Sequence, residues 1–548
     1  MYDLLIKGGR IIDGSGNPWI RADIGIIDGR ISDILRVQSS AAAAREEIDA
    51  RGMVVCPGFI DIHSHSDFVL LVNPMAESKV RQGVTTEVIG NCGDSAAPAE
   101  GEAAESARKT LAELGIELDW SSFSEYLQHL ERMGVSVNVA TLVGHGTVRK
   151  SVMGYENRPP EEGEMEEMRY LVAEAMEAGA FGLSSGLVYP PGRFAETWEL
   201  IELCRVVAEY GGFYATHVRG ERETLIEAVL EAVEIGERAG IPVQISHHPA
   251  KIGAWGRSRE TLRIIDEARA RGLDITFDLH AYLAGSTGVS ALLPPWAQEG
   301  GAERMMERLG NPNIRRRIMM DMLEERVPGP GPCGLVKRGM WDRIILSSCR
   351  RNRDLIGRSI DEIARLKGID PFEAYFRLLI EEETSGSIIG YYYNEEDIRT
   401  VLRHPSSMIG SDGYALAPYG ALGRGMMHPR SYGAFPMIIR KYVRGMGNED
   451  LRDTGGRIIT LEEAVRKMAS LPAQRVGLLD RGLLKVGMWA DIIILDPERV
   501  RDRATYLDPY QYPEGIEYVI VNGGVVVRRG MHTGALPGKI LRHSIKRV

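Results

Sequence analysis

Two histidines, His63 and His65, close an apolar run in the stretch GFIDIHSHSD. Side chains two residues apart in a β-strand point to the same side, so both imidazoles can face one divalent metal ion. Neutral imidazole is a ligand that zinc prefers. An HxH sequence can also arise by chance in a chain of 548 residues. Its interpretation therefore depends on which element carries it and on what the neighbouring elements contribute.

The central part of the chain alternates short apolar strands with helical segments. Segments such as ETLIEAVLEAVEIGERAG carry apolar residues at helical spacing and end in a glycine that can form a helix cap. The eight strands contain, in order, GFIDIHSH, TTEVIGNCG, VNVATLVGHGT, AFGLSSGLVY, GFYATHVRG, IPVQISHH, LDITFDLHAY and SSMIGSDG. Eight strands alternating with helices predict an α/β fold, a TIM-like (β/α)8 barrel over residues 58–474.

Several of these strands end in side chains that can bind a metal ion or carry a proton. Active sites of such barrels lie at the carboxyl ends of the strands, so these side chains should meet at one level. Besides the first pair, they are Cys92, His145, His217, His247 or His248, and Asp412.

Each of these residues also has a simpler interpretation. Cys92 beside glycines can be a small buried apolar residue, and Asp412 in GSDG can stabilise a turn. His217 in ATHVRGE can be a hydrogen-bonded core histidine. Their common position at the strand ends favours a metal site over these separate explanations.

A zinc site of this kind indicates hydrolysis. Zinc lowers the pKa of a bound water molecule to roughly 7 and polarises a carbonyl group. Asp412 could accept the proton of the water and later pass it to a leaving nitrogen. The residues therefore predict a metal-assisted hydrolase of an amide or a similar bond.

The two ends of the chain differ from its middle. Residues 1–57 and 475–548 contain short strands separated by turn signals such as DG and GG, and we expect them to join in one β-sandwich domain. Residues 284–346 follow the seventh strand and are too long for an ordinary loop. We predict an insertion there, over the barrel mouth, in a position suited to a lid.

Composition excludes several other classes of protein. The formal net charge is −10 and no long basic block is present, which disfavours nucleic-acid binding. Five cysteines without CxxC spacing suggest neither disulfides nor a zinc knuckle, and they fit a reducing cytoplasm. The sequence shows no signal-like start and no run long enough to span a bilayer, so we expect a cytoplasmic protein that binds no membrane.

The ordered motifs resemble a known family over nearly the whole chain. PGFIDIHSHSD, GVTTEVIGNCG, LVGHGTVR, GLSSGLVYPPG, ATHVRGE, ISHH, LLPPW, GSDG and HPRSYGAF together resemble the D-aminoacylase branch of the amidohydrolase superfamily, the N-acyl-D-amino acid deacylases. The resemblance implies zinc, one or two ions per chain, and hydrolysis of a small N-acyl-D-amino acid to a carboxylate and a D-amino acid. It leaves the oligomeric state open.

The resemblance also implies roles for the metal-binding residues. Cys92, His217 and His247 match the ligands of a tightly held zinc, and His63 and His65 lie with the catalytic acid/base Asp412 around a second, weaker metal position. The fourth strand offers no lysine that could bridge two metals, so Cys92 is the plausible bridge. His247 is preferred to His248 because it directly follows the serine of the motif and neighbouring strand residues face opposite sides.

Substrate contacts follow from the same resemblance. Arg430 in HPRSYG matches the residue that binds the carboxylate of the amino acid, since a guanidinium can hold both of its oxygens. Tyr282 is expected to contribute a hydroxyl group, Tyr189 to line the pocket, and His145 to face the substrate or to serve a purely structural role.

The sequence departs from the family pattern at two positions beside the expected pocket. Where relatives commonly have a lysine directly after the histidine pair, Pro249 follows here, and Lys251 comes two residues later as a possible carboxylate contact. The seventh strand carries His280 in place of a frequent aromatic residue.

Two other functions stay open at this point. The metal site could serve another amidohydrolase reaction, such as that of a dipeptidase or a cyclic amidase. Alternatively, the chain could be a scaffold that kept the fold without catalysis, although the complete set of ligands and the acid/base argue against this.

Overall fold

A computed structural model describes residues 1–36, 43–324 and 329–544. Parts of the predicted regions lie outside the described residues: 37–42 and 545–548 of the β-domain, and 325–328 of the insertion.

Eight parallel strands form a closed barrel, as predicted. The first three pair in one sheet, and the third continues into a second sheet that holds the other five. A parallel bridge between Ser64 and Gly413 joins the first strand to the eighth. In chain order the strands are Phe59–Asp61, Val84–Ile89, Asn138–Thr141 with Val143–Gly144, Gly182–Gly186, Phe213–His217, Val243–Ile245, Ile275–Leu279 and Ser407–Ile409.

Helices surround the barrel and cover its strands. The strands are fully buried, which explains their near-continuous apolar sequences. Local signals set helix ends: Ser122 and Glu125 form a reciprocal capping box at one start. The helices outside the insertion are Glu77–Val80, Gly101–Leu114, Phe123–Met133, His145–Met153, Glu162–Ala178, Thr197–Glu209, Leu225–Ala239, Ser258–Ala270, Glu395–Arg403, Arg430–Ile438, Leu461–Met468 and Ser470–Val476.

The two chain ends meet in one nine-stranded mixed sheet. Val54–Pro57 pairs antiparallel with Ile492–Leu495, so the amino-terminal and carboxyl-terminal strands share a ladder. Residues from both ends also share one apolar core. The strands of this β-domain are Tyr2–Ile11, Ile20–Ile27, Arg30–Arg36, Ala44–Asp49, Val54–Pro57, Ile492–Leu495, Ile516–Val521, Gly524–Arg528 and Met531–His532.

A separate layer lies between the seventh and eighth barrel strands. Its three-stranded antiparallel sheet is built from Gly285–Gly288, Ile344–Ser348 and, in the centre, Ser387–Gly390. The layer extends beyond residue 346, the predicted end of the insertion, because the central strand pairs with both of the others and begins only at Ser387. The helices of this layer are Pro295–Gln298, Gly301–Gly310, Pro312–Glu324, Cys333–Lys337, Ile360–Lys367 and Pro371–Glu381.

Shorter helical turns complete the architecture. The 3-10 turns are Val69–Leu71, Gly192–Phe194, Val289–Leu292, Trp341–Arg343, Arg353–Leu355, Gly420–Gly423 and Glu449–Leu451, and Ile439–Val443 forms a π-helical turn. Within the described ranges, none of the helices has the length and apolar character needed to cross a bilayer.

Candidate metal and catalytic site

The polar side chains at the strand ends converge on a cavity of about 330 Å³. Barrel strands supply one wall, and the insertion supplies the opposite wall through Ser286, Thr287, Tyr392 and Tyr393. The predicted site residues that line the cavity are His65, Cys92, Tyr189, His217, His247, Lys251, Asp412 and Arg430.

Cys92, His217 and His247 form a triangle of possible metal ligands. The Sγ atom of Cys92 lies 3.6 Å from Nδ1 of His217 and 3.7 Å from Nε2 of His247, and these two nitrogens are 2.9 Å apart. Ligands of one tetrahedral zinc with ordinary bond lengths would be about 3.3 to 3.6 Å apart. The two distances from the Cys92 sulfur match that spacing, the two nitrogens lie closer together, and all three donor atoms are within reach of one zinc ion.

A second group of possible ligands adjoins this triangle. His63, His65 and Asp412 each place one donor atom within reach of the others. Oδ1 of Asp412 lies 3.0 Å from Nε2 of His65 and 3.6 Å from Nε2 of His63. His63 also lies 3.3 Å from the Cys92 sulfur, so Cys92 stands between the two groups, where a bridging ligand would stand.

Three of these residues leave their strands in an unusual backbone conformation. Cys92, His247 and Asp412 have φ values of 53°, 35° and 50°. Non-glycine residues rarely adopt positive φ, and such strained positions cluster at functional sites. The left-handed turn directs these side chains into the cavity immediately beyond the strand ends.

The same turn separates the neighbouring histidines. The sixth strand ends at Ile245, before either histidine, so strand alternation is not the reason for their difference. His247 faces Cys92, whereas the buried His248 lies 2.9 Å from Thr261 Oγ1 and packs against Phe277.

Two carboxylates that the sequence analysis did not select contact the histidines at ring nitrogens that face away from the Cys92 sulfur. Oε1 of Glu221 lies 3.1 Å from Nε2 of His217, the nitrogen turned away from Cys92. Asp278 accepts the backbone N–H of His247 at 2.8 Å and lies 3.3 Å from Nδ1 of His63. Carboxylates behind metal-binding histidines fix their orientation and tautomer.

The sequence carried signals for both carboxylates. Glu221 follows His217 by four residues in the motif ATHVRGE, and Asp278 is a charged residue inside the largely apolar seventh strand, two residues before His280. Neither sequence position would indicate a functional carboxylate by itself, without the neighbouring histidines that it contacts.

The electrostatics favour an ionised thiol and an ionised carboxylate. Burial alone would raise the pKa of Cys92, but the charge of His63 and hydrogen bonds with His217 and His247 hold it well below its usual value. Burial would also raise the pKa of Asp412, but Arg430 and the hydrogen bond with His65 hold it well below the ordinary value. Both side chains are therefore in the form that binds a cation or accepts a proton.

Arg430 and Lys251 bring positive charge into the cavity. Arg430 is buried at the start of its helix and donates from Nη1 to Oδ2 of Asp412 at 2.6 Å. Lys251 pairs closely with Glu221 and lies 3.4 Å from Nδ1 of His247. Burial lowers the pKa of Lys251 to about 7.

Tyr189 lines the cavity as predicted, and its ring packs edge-on against His217 at 5.1 Å between centroids. Its hydroxyl oxygen accepts a hydrogen bond from Thr287 Oγ1 at 3.2 Å. This contact connects the fourth strand to the insertion.

Two other predicted contact residues lie behind the cavity wall. His145 is fully buried, and its Nε2 atom lies 2.8 Å from Glu199, so the structure favours the structural role for it. The Tyr282 hydroxyl donates to the carbonyl of Pro429 at 3.5 Å. Tyr282 therefore contacts the residue before Arg430 and is not among the residues that line the cavity. The expected direct contact with substrate does not follow from this placement.

The two positions that depart from the family pattern, Lys251 and His280, also lie at this site. His280 is buried, with Nε2 3.9 Å from Oδ2 of Asp412. Lys251, two residues beyond Pro249, pairs with Glu221 and lines the cavity.

This arrangement combines three chemical abilities in one cavity. It offers a thiolate and imidazole nitrogens as ligands for zinc, a carboxylate positioned to move a proton, and a guanidinium that can bind an anion. These are the requirements for hydrolysing an amide next to a carboxylate.

Comparison with known proteins identifies the family. Residues 46–527 match the model of the amidohydrolase family. The chain is 36% identical to the D-aminoacylase of Alcaligenes xylosoxydans xylosoxydans over 542 residues, which cover 98% of this chain and 97% of that protein. The chain belongs to the D-aminoacylase family of amidohydrolases.

Other members of this family are equally similar. The N-acyl-D-glutamate deacylase of the same organism is 36% identical over 98% of this chain and 96% of its own length. The crystal structure of N-acyl-D-glutamate deacylase from Bordetella bronchiseptica, a complex with zinc and a phosphonate mimic of the tetrahedral intermediate, superposes with a TM-score of 0.80 at 34% identity and covers 99% of both chains.

Proposed function

We propose that this protein is a zinc-dependent N-acyl-D-amino acid deacylase, which hydrolyses the amide bond to a carboxylate and a free D-amino acid. The observation that carries the proposal is the joint placement of the Cys92, His217 and His247 donor atoms beside the Asp412–Arg430 pair in one cavity. The zinc-binding and D-specific relatives support the metal and the substrate class.

The proposed ligands of the main zinc ion are Cys92, His217 and His247. A second proposed metal position lies among His63, His65 and Asp412. The site therefore permits one or two ions. When bound, zinc supplies a Lewis acid that polarises the acyl carbonyl and makes water nucleophilic at neutral pH. Glu221 and Asp278 hold the histidine rings in place for this role.

Asp412 moves the proton in the proposed reaction. Its ionised carboxylate accepts a proton from the attacking water and returns it to the amide nitrogen as the C–N bond breaks. His65, 3.0 Å from Oδ1, and Arg430, 2.6 Å from Oδ2, hold the carboxylate in one orientation.

Arg430 also binds the substrate carboxylate. Among the described residues, its side-chain hydrogen bond to Asp412 is made by Nη1, which leaves the other edge of the guanidinium for a carboxylate. One side chain thereby connects the recognised end of the substrate with the proton carrier, and Tyr189 closes the adjoining wall.

The proposed setting is the reducing cytoplasm. All five cysteines are free thiols in the described part of the chain, and a zinc-binding Cys92 must stay reduced.

The test is release of free amine from matched N-acetyl-D- and N-acetyl-L-amino acids by zinc-reconstituted protein. We expect turnover of the D substrates alone. Turnover of dipeptides or cyclic amides in place of both would instead identify another amidohydrolase, and zinc binding without any turnover would identify a scaffold.

A further inference from the structure

Each lysine and arginine side chain that lines the catalytic cavity is paired with a carboxylate. Arg430 pairs with Asp412 at 2.6 Å and Lys150 pairs with Asp94 at 3.0 Å. The third pair is Lys251 with Glu221. Within the described residues that line this cavity, every lysine and arginine therefore has an acidic partner.

Among the described residues of the lining, these pairs leave one place for an added carboxylate, at the guanidinium of Arg430, whose hydrogen bond to Asp412 uses Nη1. The carboxylate common to all N-acyl amino acids can bind the remaining edge of Arg430. A second carboxylate, as in a glutamate or aspartate side chain, would enter a cavity whose lysines are already neutralised. Bringing an ion into a buried site without a new partner costs free energy.

The rest of the cavity lining is neutral and includes four tyrosines among its glycines and prolines. Tyr189, Tyr392, Tyr393 and Tyr414 line it, together with Pro190. The pair Tyr392 and Tyr393 lies at the end of the insertion sheet with ring centroids 4.9 Å apart. Aromatic rings bury large apolar area and favour apolar groups over hydrated ions.

A second cavity of about 270 Å³, here called the annex, adjoins the first. Tyr189, Pro190, Thr287 and Gly288 line both cavities, so these four residues form their common wall. Among the described residues of its lining, the annex has no charged side chain. It is completed by Tyr155, Ser290, Ala291, Gln298, Ala302 and Met305, among others.

Resting on the function proposed above, we propose that the enzyme selects N-acyl-D-amino acids whose variable groups are uncharged, and that the annex receives the longer of these groups. The group in the annex is either the amino acid side chain or the acyl chain, since both can be neutral and extended. N-acyl-D-glutamate and N-acyl-D-aspartate are then poor substrates, although a relative named for the glutamate substrate is as similar in sequence as the D-aminoacylase.

The charge selection is tested with N-acetyl-D-glutamine and N-acetyl-D-glutamate, which have nearly the same shape and differ in charge. We expect kcat/KM to be at least about tenfold higher for the glutamine substrate, because an unpaired buried carboxylate costs more than 1.4 kcal/mol. Equal values, or a preference for glutamate, would overturn the inference. If no N-acyl-D-amino acid is turned over, the failure belongs to the proposed function instead.

The annex is tested by filling it. Ala302 is exposed near the start of helix Gly301–Gly310, so Ala302→Trp adds bulk at the annex without disturbing a packed core. Glu303→Trp adds the same bulk at the next exposed position, which does not line the annex, and is the matched control.

Two substrate series distinguish the occupants of the annex. N-acetyl-D-alanine and N-acetyl-D-phenylalanine vary the side chain, and N-acetyl-D-alanine and N-octanoyl-D-alanine vary the acyl chain. We expect Ala302→Trp to lower kcat/KM at least about fivefold for the larger member of one series, and Glu303→Trp to leave that value unchanged. The series that is affected shows whether the side chain or the acyl chain enters the annex. Identical behaviour of the two variants in both series would overturn the role of the annex.

Discussion

Arg430 and Asp412 share a hydrogen bond of 2.6 Å between Nη1 and Oδ2 in the wall of the catalytic cavity. The two residues are 18 positions apart in the chain: Asp412 follows the eighth strand and Arg430 begins a helix. This contact places the proposed carboxylate-binding group directly beside the proposed proton carrier, so a substrate bound by one is aligned with the other.

Replacing Asp412 by Asn should lower kcat by about 10²- to 10⁴-fold, because the amide cannot accept and return the proton. Zinc content should stay close to that of the unchanged protein, since Cys92, His217 and His247 are the proposed ligands of the tighter site. Steady-state kinetics and elemental analysis measure the two quantities. Asp450→Asn, at an exposed position outside the cavity, is the control. Full activity of the Asp412 variant would contradict the mechanism.

Replacing Arg430 by Gln should raise KM for N-acyl-D-amino acids and shift the pH dependence of kcat/KM. Arg430 lowers the pKa of Asp412, so its loss raises that pKa. The base is active when ionised, at pH values above its pKa, and the acidic limb of the profile should therefore move to higher pH. Arg424→Gln changes an exposed arginine and should leave the profile in place.

The effect of Arg430→Gln on KM should depend on whether the substrate has a carboxylate. For substrates with an amide in place of the carboxylate, the KM of the Arg430→Gln variant and of the unchanged protein should be similar, because the guanidinium has no carboxylate to bind. An equal rise of KM for both kinds of substrate would show that Arg430 does not recognise the carboxylate.

Removal of the Cys92 thiol should weaken zinc binding at the main site. Cys92→Ala removes the ligand shared by the His217 and His247 pair, and we expect less than about one zinc per chain after reconstitution and dialysis. Cys349→Ala removes another free thiol outside the site and should keep the metal. Treatment with a chelator should abolish activity of the unchanged protein, and added zinc should restore it.

Glu221→Gln should reduce zinc affinity by about 10- to 100-fold, because the amide orients His217 less strongly than the carboxylate that lies 3.1 Å from its Nε2 atom. Competition with a metal-binding dye measures the affinity without any assay of turnover. Glu223→Gln, two residues on and partly exposed, is the matched control. Unchanged affinity would remove Glu221 from its positioning role.

Lys79 is fully buried below the site, 2.6 Å from Asp61 and 3.4 Å from Glu87. It also donates to Ser64 and Ser411, the neighbours of the site residues in the first and eighth strands. Lys79→Met should destabilise the protein by about 3 to 5 kcal/mol, because it leaves buried carboxylates without a cation. A lower Tm in thermal unfolding measures the loss. The exposed Lys109→Met is its control, and an unchanged Tm would contradict the expectation.

The sequence by itself determined the barrel and most of the polar set at its mouth. Strand and helix patterns are local, and strand order in a (β/α)8 barrel follows chain order, so residues at successive strand ends must meet. This is why His63, Cys92, His217 and Asp412 could be grouped without coordinates. The motifs added Arg430, whose place in a helix beyond the eighth strand no periodicity would have selected.

Only the tertiary structure decided which side chains beyond the strand ends face the cavity and which residues contact and orient them. His247 faces the cavity because its backbone takes a left-handed turn, a choice that strand alternation does not govern. Tyr282 turns to Pro429, and Glu221 reaches His217. The central strand of the insertion pairs with segments 39 or more residues away. Such orientations and pairings depend on contacts between distant parts of the chain, which local sequence patterns do not encode.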